Sequence, residues 1–400
     1  MNRAEEFVAD YCSRSFFSLW SYANPQRRNG RELCDFLVVC DPHVIIFSVK
    51  EVRVSDTGDV TVDWKRWQRE AIQKSVKQIY GAQRELEQLN SVRTKQGRVG
   101  LRLPNVGKRC IHRVAVAIGS EGKVPYTFGD FGKGFVHVVD ERSFQTIMQE
   151  LDTITDFVEY LKAKEELSHR GVEVVIEGGG EEDLLAFYLE KGRTFPPSFD
   201  LILVGPDRWK TFSESHAFRA RQQADEASRA WDSLIEVLCR DHLAGVLLGE
   251  RSLGDVERIV RAMARENRFS RRILGKKFLD FLDCSRRGSV RSRMLTSLGG
   301  ITYVFLACPL QTPRESRRQE LVLRCFVARG THQANDIVVG IATETPGTHT
   351  GFSLDVTYLQ KPDWTQEDVR NMKGIQRDTG FFAAPVRRNA HEDEYPEPAG

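Results

Sequence analysis

The chain has 400 residues, with 58 Lys and Arg against 56 Asp and Glu, a formal net charge of +2. At 40% hydrophobic and 28% charged it can bury one large domain or two to three ordinary ones, which excludes general disorder. No stretch approaches the roughly 20 uninterrupted apolar residues of a membrane span, and the first residues lack the apolar run of a secretory leader, so a cytoplasmic protein without a membrane partner is expected.

Residues 4–21 carry Phe7, Val8, Tyr11, Cys12, Phe16, Leu19 and Trp20 in one stripe at helical spacing. Two apolar runs, Phe36–Cys40 and Val44–Phe47, read as a tight β-hairpin, and Val60–Val62 as a third strand. Residues 64–90 form the strongest helical pattern, with Trp67, Ala71, Val76, Ile79, Ala82 and Leu86 on the buried side. Strands follow at 112–118 and 134–139, helices at 141–166, and a strand, turn and helix over Val172–Ile176, Gly178–Gly180 and Glu181–Leu189. A strand at 199–204 precedes a helical stretch from about 217 to 284. The β-rich runs 301–308, 319–328, 336–343 and 352–359 then suggest an antiparallel sheet. Eight cysteines without any C-x-x-C read as reduced, packed thiols, and the nine histidines show no zinc spacing.

The chemistry concentrates at the hairpin. With Pro42 and His43 as its loop, Asp35 lies opposite Lys50 and Leu37 opposite Ser48. Side chains alternate with period two, so Asp35, Ser48 and Lys50 share one face. A carboxylate can hold a hard divalent cation there, and a lysine beside it can orient or deprotonate an attacking water. The bland reading of such a pair is a surface salt bridge worth under about 1 kcal/mol.

An aspartate opening one strand, a short hairpin and then x-Lys on the next resembles the PD-(D/E)xK nuclease superfamily. Glu32–Val39, Ile45–Lys50 and Ala71–Ala82 look similar to its nuclease-related, restriction-endonuclease-like bacterial branch, over about residues 1–120. The resemblance implies a metal-dependent nuclease using Mg²⁺ or Mn²⁺, acting on DNA. Relatives of this type often serve in defence against foreign DNA. Ser48 stands where the family usually has an acid, which removes an anionic ligand and weakens cation affinity. Many relatives place a glutamate on the first helix. With Phe7 at zero and the apolar stripe centred near about 115°, Glu5 falls at about 160° and Glu6 at about 260°. Glu5 is therefore the preferred helix ligand, with Glu32 in reserve. Gln78 and Tyr80 lie where related nucleases place polar groups, but their spacing differs, so a solvated Gln78 and a core Tyr80 are expected.

Charge is uneven along the chain. Residues 92–113 hold Arg93, Lys95, Arg98, Arg102, Lys108, Arg109 and Arg113 with no acid, and residues 261–293 hold eleven Lys and Arg, including Arg271, Arg272, Lys276 and Lys277, against three acids. Two basic blocks on an otherwise acidic chain suit local contact with a nucleic-acid backbone, or a solvated surface with internal ion pairs. The Gly178–Gly180 turn lacks the Gly-Lys-Ser/Thr of a phosphate loop and leads into three acids.

The expected fold is α/β: an N-terminal restriction-endonuclease-like αββ-α-β core over 1–165, then a C-terminal α+β region over 166–385 (helical segment, then antiparallel strands), then an acidic disordered tail over 386–400. The expected function is metal-dependent nuclease. The alternatives are a catalytically inactive module of the same fold that binds nucleic acid or a protein partner, and a subunit active only in an assembly. The C-terminal region is the expected site of any partner or self-association.

Overall fold

The computed structural model describes residues 2–55, 57–120, 127–245, 253–287, 291–347, 353–383 and 392–396. The chain divides into two compact units, Met1–Arg219 and Ala220–Gly400.

In the first unit, Asn2 caps α1 (Arg3–Trp20) and closes a capping box with Glu5. The strands β1 (Ser21–Ala23), β2 (Phe36–Cys40) and β3 (His43–Glu51) form an antiparallel meander. The helix α2 (Val60–Trp67) runs through a π-helical turn at Gln68–Gln73 into α3 (Lys74–Glu87). A small antiparallel pair, β4 (Ser91–Arg93) and β5 (Val99–Arg102), precedes β6 (Cys110–Ile118), β7 (Gly129–Asp130) and β8 (Phe135–Val139). The main sheet has the order β1-β2-β3-β6-β8-β7, with β3, β6 and β8 mutually parallel.

Strands at the centre of a mixed sheet are covered on both faces, which is why FLVVC and VIIF are unbroken apolar runs. One face carries Leu37, Val39, Val44, Ile46, Ala115 and Ala117, packed under Ala71, Val76, Ile79 and Ala82 of the long helix. On the other, Phe47 meets Phe144 and Phe157 from α4 (Glu141–Glu150) and α5 (Ile154–His169), and Phe7 of α1 packs on Phe144. The unit continues through β9 (Glu173–Ile176), α6 (Glu181–Glu190), β10 (Leu201–Val204) and α7 (Arg208–Ser213), with β9 and β10 parallel. These residues were expected to open the C-terminal region. They belong to the first unit because the buried Glu181 receives Lys164 and Tyr160 of α5, and Glu182 receives Ser143 of α4.

Beyond α8 (His216–Asp225), the second unit holds α9 (Ser228–Leu243), α10 (Leu253–Ala264) and α11 (Arg268–Arg286), then β11 (Ser292–Thr296) and β12 (Thr302–Cys308). It ends with α12 (Arg314–Thr331), β13 (Ile337–Glu344), β14 (Asp355–Gln360) and α13 (Gln366–Thr379). The helical segment and the antiparallel pairs β11–β12 and β13–β14 match expectation. The central pair β12–β13 is parallel, because α12 carries the chain back across the sheet. Residues 319–328, read as a strand, lie inside α12: Leu321, Cys325 and Ala328 pack on β12 and β13 at helical spacing. The contact is close enough that a Cβ at Gly340 would lie 2.5 Å from Cys325 Sγ.

Three further expectations change. Val60–Val62 begin α2 instead of forming a strand, because the Asp59 side chain accepts the N–H groups of Thr61 and Val62. The hairpin loop is Asp41-Pro42, since Cys40 pairs with His43, and proline has no N–H to give the ladder. Of the acidic tail, Glu392–Glu394 are not free: Arg272 donates to the carbonyls of Asp393 and Glu394, and Lys276 pairs with Glu392 at 3.1 Å. Residues 386–391 and 397–400 lie outside the described residues. All eight cysteines are free thiols.

Candidate active site

The observed register pairs Phe36 with Phe47, two residues away from the expected one. A slip of two preserves the face, whereas a slip of one would invert it. Continuing the register by one step sets Asp35 across from Ser48, so Asp35, Ser48 and Lys50 still share the face covered by α3.

Asp35 sits just before β2 and is 4% exposed. Its Oδ2 accepts the Val49 backbone N–H at 2.5 Å and faces Lys50 Nζ at 3.4 Å. Gln78 of α3 ties the group together. Its Nε2 donates to Asp35 Oδ1 at 2.9 Å, and its Oε1 accepts Lys50 Nζ at 2.7 Å and Ser48 Oγ at 2.9 Å. Lys50 also donates to the Val49 carbonyl and keeps 29% of its side chain in solvent, while Ser48 is fully buried. Gln78, expected to be solvated, is therefore the hub of the network. Its signal in the sequence is the i, i+3, i+7 spacing of Ser75, Gln78 and Ala82 on the covered side of the helix. Tyr80 is half-buried against the core and donates to the Gly134 carbonyl at 2.6 Å. Glu51 is exposed.

A second group of carboxylates adjoins Asp35. Asn24, buried at the end of β1, donates its amide to Glu32 at 3.0 Å and at the longer distance of 3.5 Å to Glu5. Glu5 is half-buried and also closes the capping box, whereas Glu6 is exposed, as the helical wheel required. Glu32 is an exposed residue whose carboxyl turns toward Asn24 and Asp35. Burial of that carboxyl raises its pKa, the Asn24 amide partly offsets this, and the Asp35 and Glu5 carboxylates raise it further. Asn24 was not singled out by the sequence; its positive φ of 45° in a loop leaves no periodic trace. Among the described residues, no three or more His, Cys, Asp and Glu side chains form a ready metal cage.

The basic residues divide into two kinds. Arg93, Lys95, Arg98, Arg102 and Lys108 are exposed on and around the β4–β5 pair. Arg109 instead spends its guanidinium on the carbonyls of Leu86, Leu89 and Pro104, pinning the end of α3. In the second unit, Arg271 and Arg272 are each 1% exposed. Arg271 pairs with Asp232 at 2.8 Å and Arg272 with Asp225 at 3.3 Å. Their burial withdraws both from any nucleic-acid contact. Lys276 is exposed but paired with Glu392, and Lys277 is half-buried.

On the opposite face of the sheet, His43 Nδ1 lies 3.2 Å from His112 Nε2, and His137 Nε2 lies 3.1 Å from Glu165. Burial, then the neighbouring His43, push His112 down to about 3, and burial likewise lowers His137. Both shifts favour the neutral ring.

No helix among the described residues is long and apolar enough to cross a membrane. Comparison with known proteins finds no matching family model, no matching curated protein and no matching solved structure.

Proposed function

We propose that the first unit is a divalent-cation-dependent nuclease of the PD-(D/E)xK kind, acting on DNA. The observation that supports this reading best is the convergence of Asp35, Lys50 and Gln78, drawn from a strand entrance, a neighbouring strand and the covering helix. A buried carboxylate, a half-exposed ammonium and an amide that fixes both make a positioned acid–base constellation, not a surface ion pair.

The donor set fits Mg²⁺ or Mn²⁺: Asp35 with Glu32, and Glu5 close behind through Asn24, are hard oxygen donors. Burial is the main cause of the raised Glu32 pKa, and the Asp35 and Glu5 carboxylates add to it a negative charge that a cation would offset. Such a cation supplies polarisation of a phosphate oxygen and activation of a bound water. Asp35 and Glu32 would hold it, with Glu5 as an outer partner. Lys50 spends its three donors on the Gln78 carbonyl, the Val49 carbonyl and, at the longest distance of 3.4 Å, Asp35, so it would turn to water or phosphate by releasing the Asp35 contact. Ser48 supports this indirectly through Gln78. The exposed Arg93, Lys95, Arg98, Arg102 and Lys108 supply a cationic surface for a phosphate backbone.

One observation favours a second reading. Ser48, Gln78, Lys50 and Asp35 satisfy one another, and the usual acid is absent, which suits a catalytically silent module that binds nucleic acid or a protein. Incubating the protein with plasmid, single-stranded DNA and RNA, in Mg²⁺, Mn²⁺ or EDTA, separates the two. Cation-dependent cleavage supports the nuclease; salt-sensitive binding without cleavage in every condition supports the module.

A further inference from the structure

The segment between β1 and β2 is itself a short hairpin arm. Leu33 donates its backbone N–H to the Pro25 carbonyl at 2.7 Å, Gln26 and Glu32 form an antiparallel bridge, and Arg27 donates its N–H to the Arg31 carbonyl at 2.7 Å. Gly30, at a φ of 78°, closes the turn by donating to the Arg27 carbonyl. The arm leads into Asp35, and Arg28 and Arg31 stand exposed at its tip. Both fall outside the two basic blocks of the sequence.

The arm is fastened to the β4–β5 ribbon. Gln26 donates its backbone N–H to the Arg93 carbonyl at 2.9 Å and its Nε2 to the Lys95 carbonyl at 2.8 Å. On the second strand of the ribbon, Leu101 donates its N–H to the Tyr22 hydroxyl at 3.1 Å, and a Cβ at Gly100 would lie 2.8 Å from the Tyr22 ring. Gln26 therefore stands between Glu32 of the candidate site and the ribbon, and arm and ribbon form one surface.

The charge on this surface is mostly unspent. Arg27 is committed, pairing with Glu85 at 3.5 Å and donating to the Glu32 carbonyl at 3.0 Å. Arg28 donates to the neutral Gln88 carbonyl, which leaves its charge uncompensated. Arg31, Arg93, Lys95, Arg98 and Arg102 are exposed, and among the described residues none of them makes an ion pair. Like charges held together in this way favour a polyanion, whose counterions are released on binding.

What the surface lacks restricts the polyanion. Residues 24–35 and 91–109 contain no Phe, Tyr or Trp. Surfaces that take single strands stack the bases on aromatic rings. Cations without rings suit a duplex, whose phosphates face outward while its bases stay paired.

We propose that the arm and the ribbon form one platform for the phosphate backbone of a DNA duplex, with Arg28 and Arg31 carrying it onto the loop that holds Glu32 and Asp35. This rests on the nuclease reading for its link to cleavage, but the binding itself needs no catalysis.

The test uses the full chain in EDTA with a fluorescein-labelled DNA duplex of mixed sequence, or its single strand, read by anisotropy across a salt series. The duplex should bind at least about tenfold tighter than the strand. Arg28→Gln combined with Arg31→Gln should lower the slope of log affinity against log salt by about 2. Arg31→Gln alone should lower it by about 1 and serves if the double variant does not fold. Lys210→Gln, which removes an exposed charge from α7, should leave the slope unchanged. An unchanged slope in the arm variants, an equal loss in Lys210→Gln, or tighter binding of the single strand would each overturn the platform. Arm-dependent duplex binding without cleavage in Mn²⁺ supports the platform and removes the nuclease reading; cleavage with an unchanged slope in the arm variants does the reverse.

Discussion

The Asp35 carboxylate takes the Val49 backbone N–H at 2.5 Å, as a backbone carbonyl of β2 would had the strand continued. A side chain thereby completes the ladder at the point where the strand ends, which fixes the carboxylate without a rigid turn. The same oxygen faces Lys50. Asp35→Asn keeps the shape and an acceptor for Val49. Its new NH₂ faces the Gln78 Nε2 donor, so the expected outcome is destabilisation of about 1–3 kcal/mol, measured by urea unfolding, together with loss of divalent-cation binding measured by calorimetry.

Gln78 joins Asp35, Lys50 and Ser48 through three hydrogen bonds. In Gln78→Leu, Asp35 Oδ1 loses its 2.9 Å donor and Lys50 its 2.7 Å acceptor. We expect destabilisation of about 1–3 kcal/mol and a fall in any cleavage rate of about 10²-fold. Thermal unfolding and initial rates on one preparation check both.

Glu32 supplies a pH dependence with a definite sign. Its folded-state pKa is raised, so the stability linked to its proton is present below the ordinary value of 4.5 and lost as pH rises through the raised value. Glu32→Gln should therefore raise the unfolding midpoint at about pH 8, and the gain should vanish in acid. If Glu32 holds a cation, the wild-type affinity for Mn²⁺ should also climb with pH over the same window. A Glu32→Gln midpoint that follows wild type at every pH would show that the carboxyl is not strained.

The two basic blocks should part company under mutation. Arg271→Ala takes from Asp232 one of its two guanidinium partners, Arg271 and Arg268, and should cost about 3–5 kcal/mol. Lys95→Ala and Arg98→Ala, both exposed, should stay within about 0.5 kcal/mol. Each should also lower the slope of log affinity against log salt for DNA by about 1. Denaturation curves and salt titrations read the two effects separately.

The sequence carried the face-sharing of Asp35, Ser48 and Lys50, because period-two alternation survives a register error of two residues. It also carried the inward tilt of Glu5, because eighteen residues of helix average out local irregularity. Gln78 was harder to place: the π-helical turn at Gln68–Gln73 resets the helical phase just before it. The run at 319–328 is rich in Leu, Val and Phe and imitates a strand. Only the i, i+4, i+7 set of Leu321, Cys325 and Ala328 betrays the helix. Arg271 and Arg272 read as surface charge because their partners lie far away in sequence, Asp232 at 39 residues and Asp393 at 121.

The most direct test of the central claim is cleavage of plasmid and single-stranded DNA in Mn²⁺ by the wild type, Asp35→Asn and Lys50→Ala, with folding of each confirmed by circular dichroism. The account predicts cleavage by the wild type that EDTA abolishes and that both variants lose by at least about 10²-fold. Cleavage retained in both folded variants, or none by the wild type despite salt-sensitive DNA binding, would contradict it.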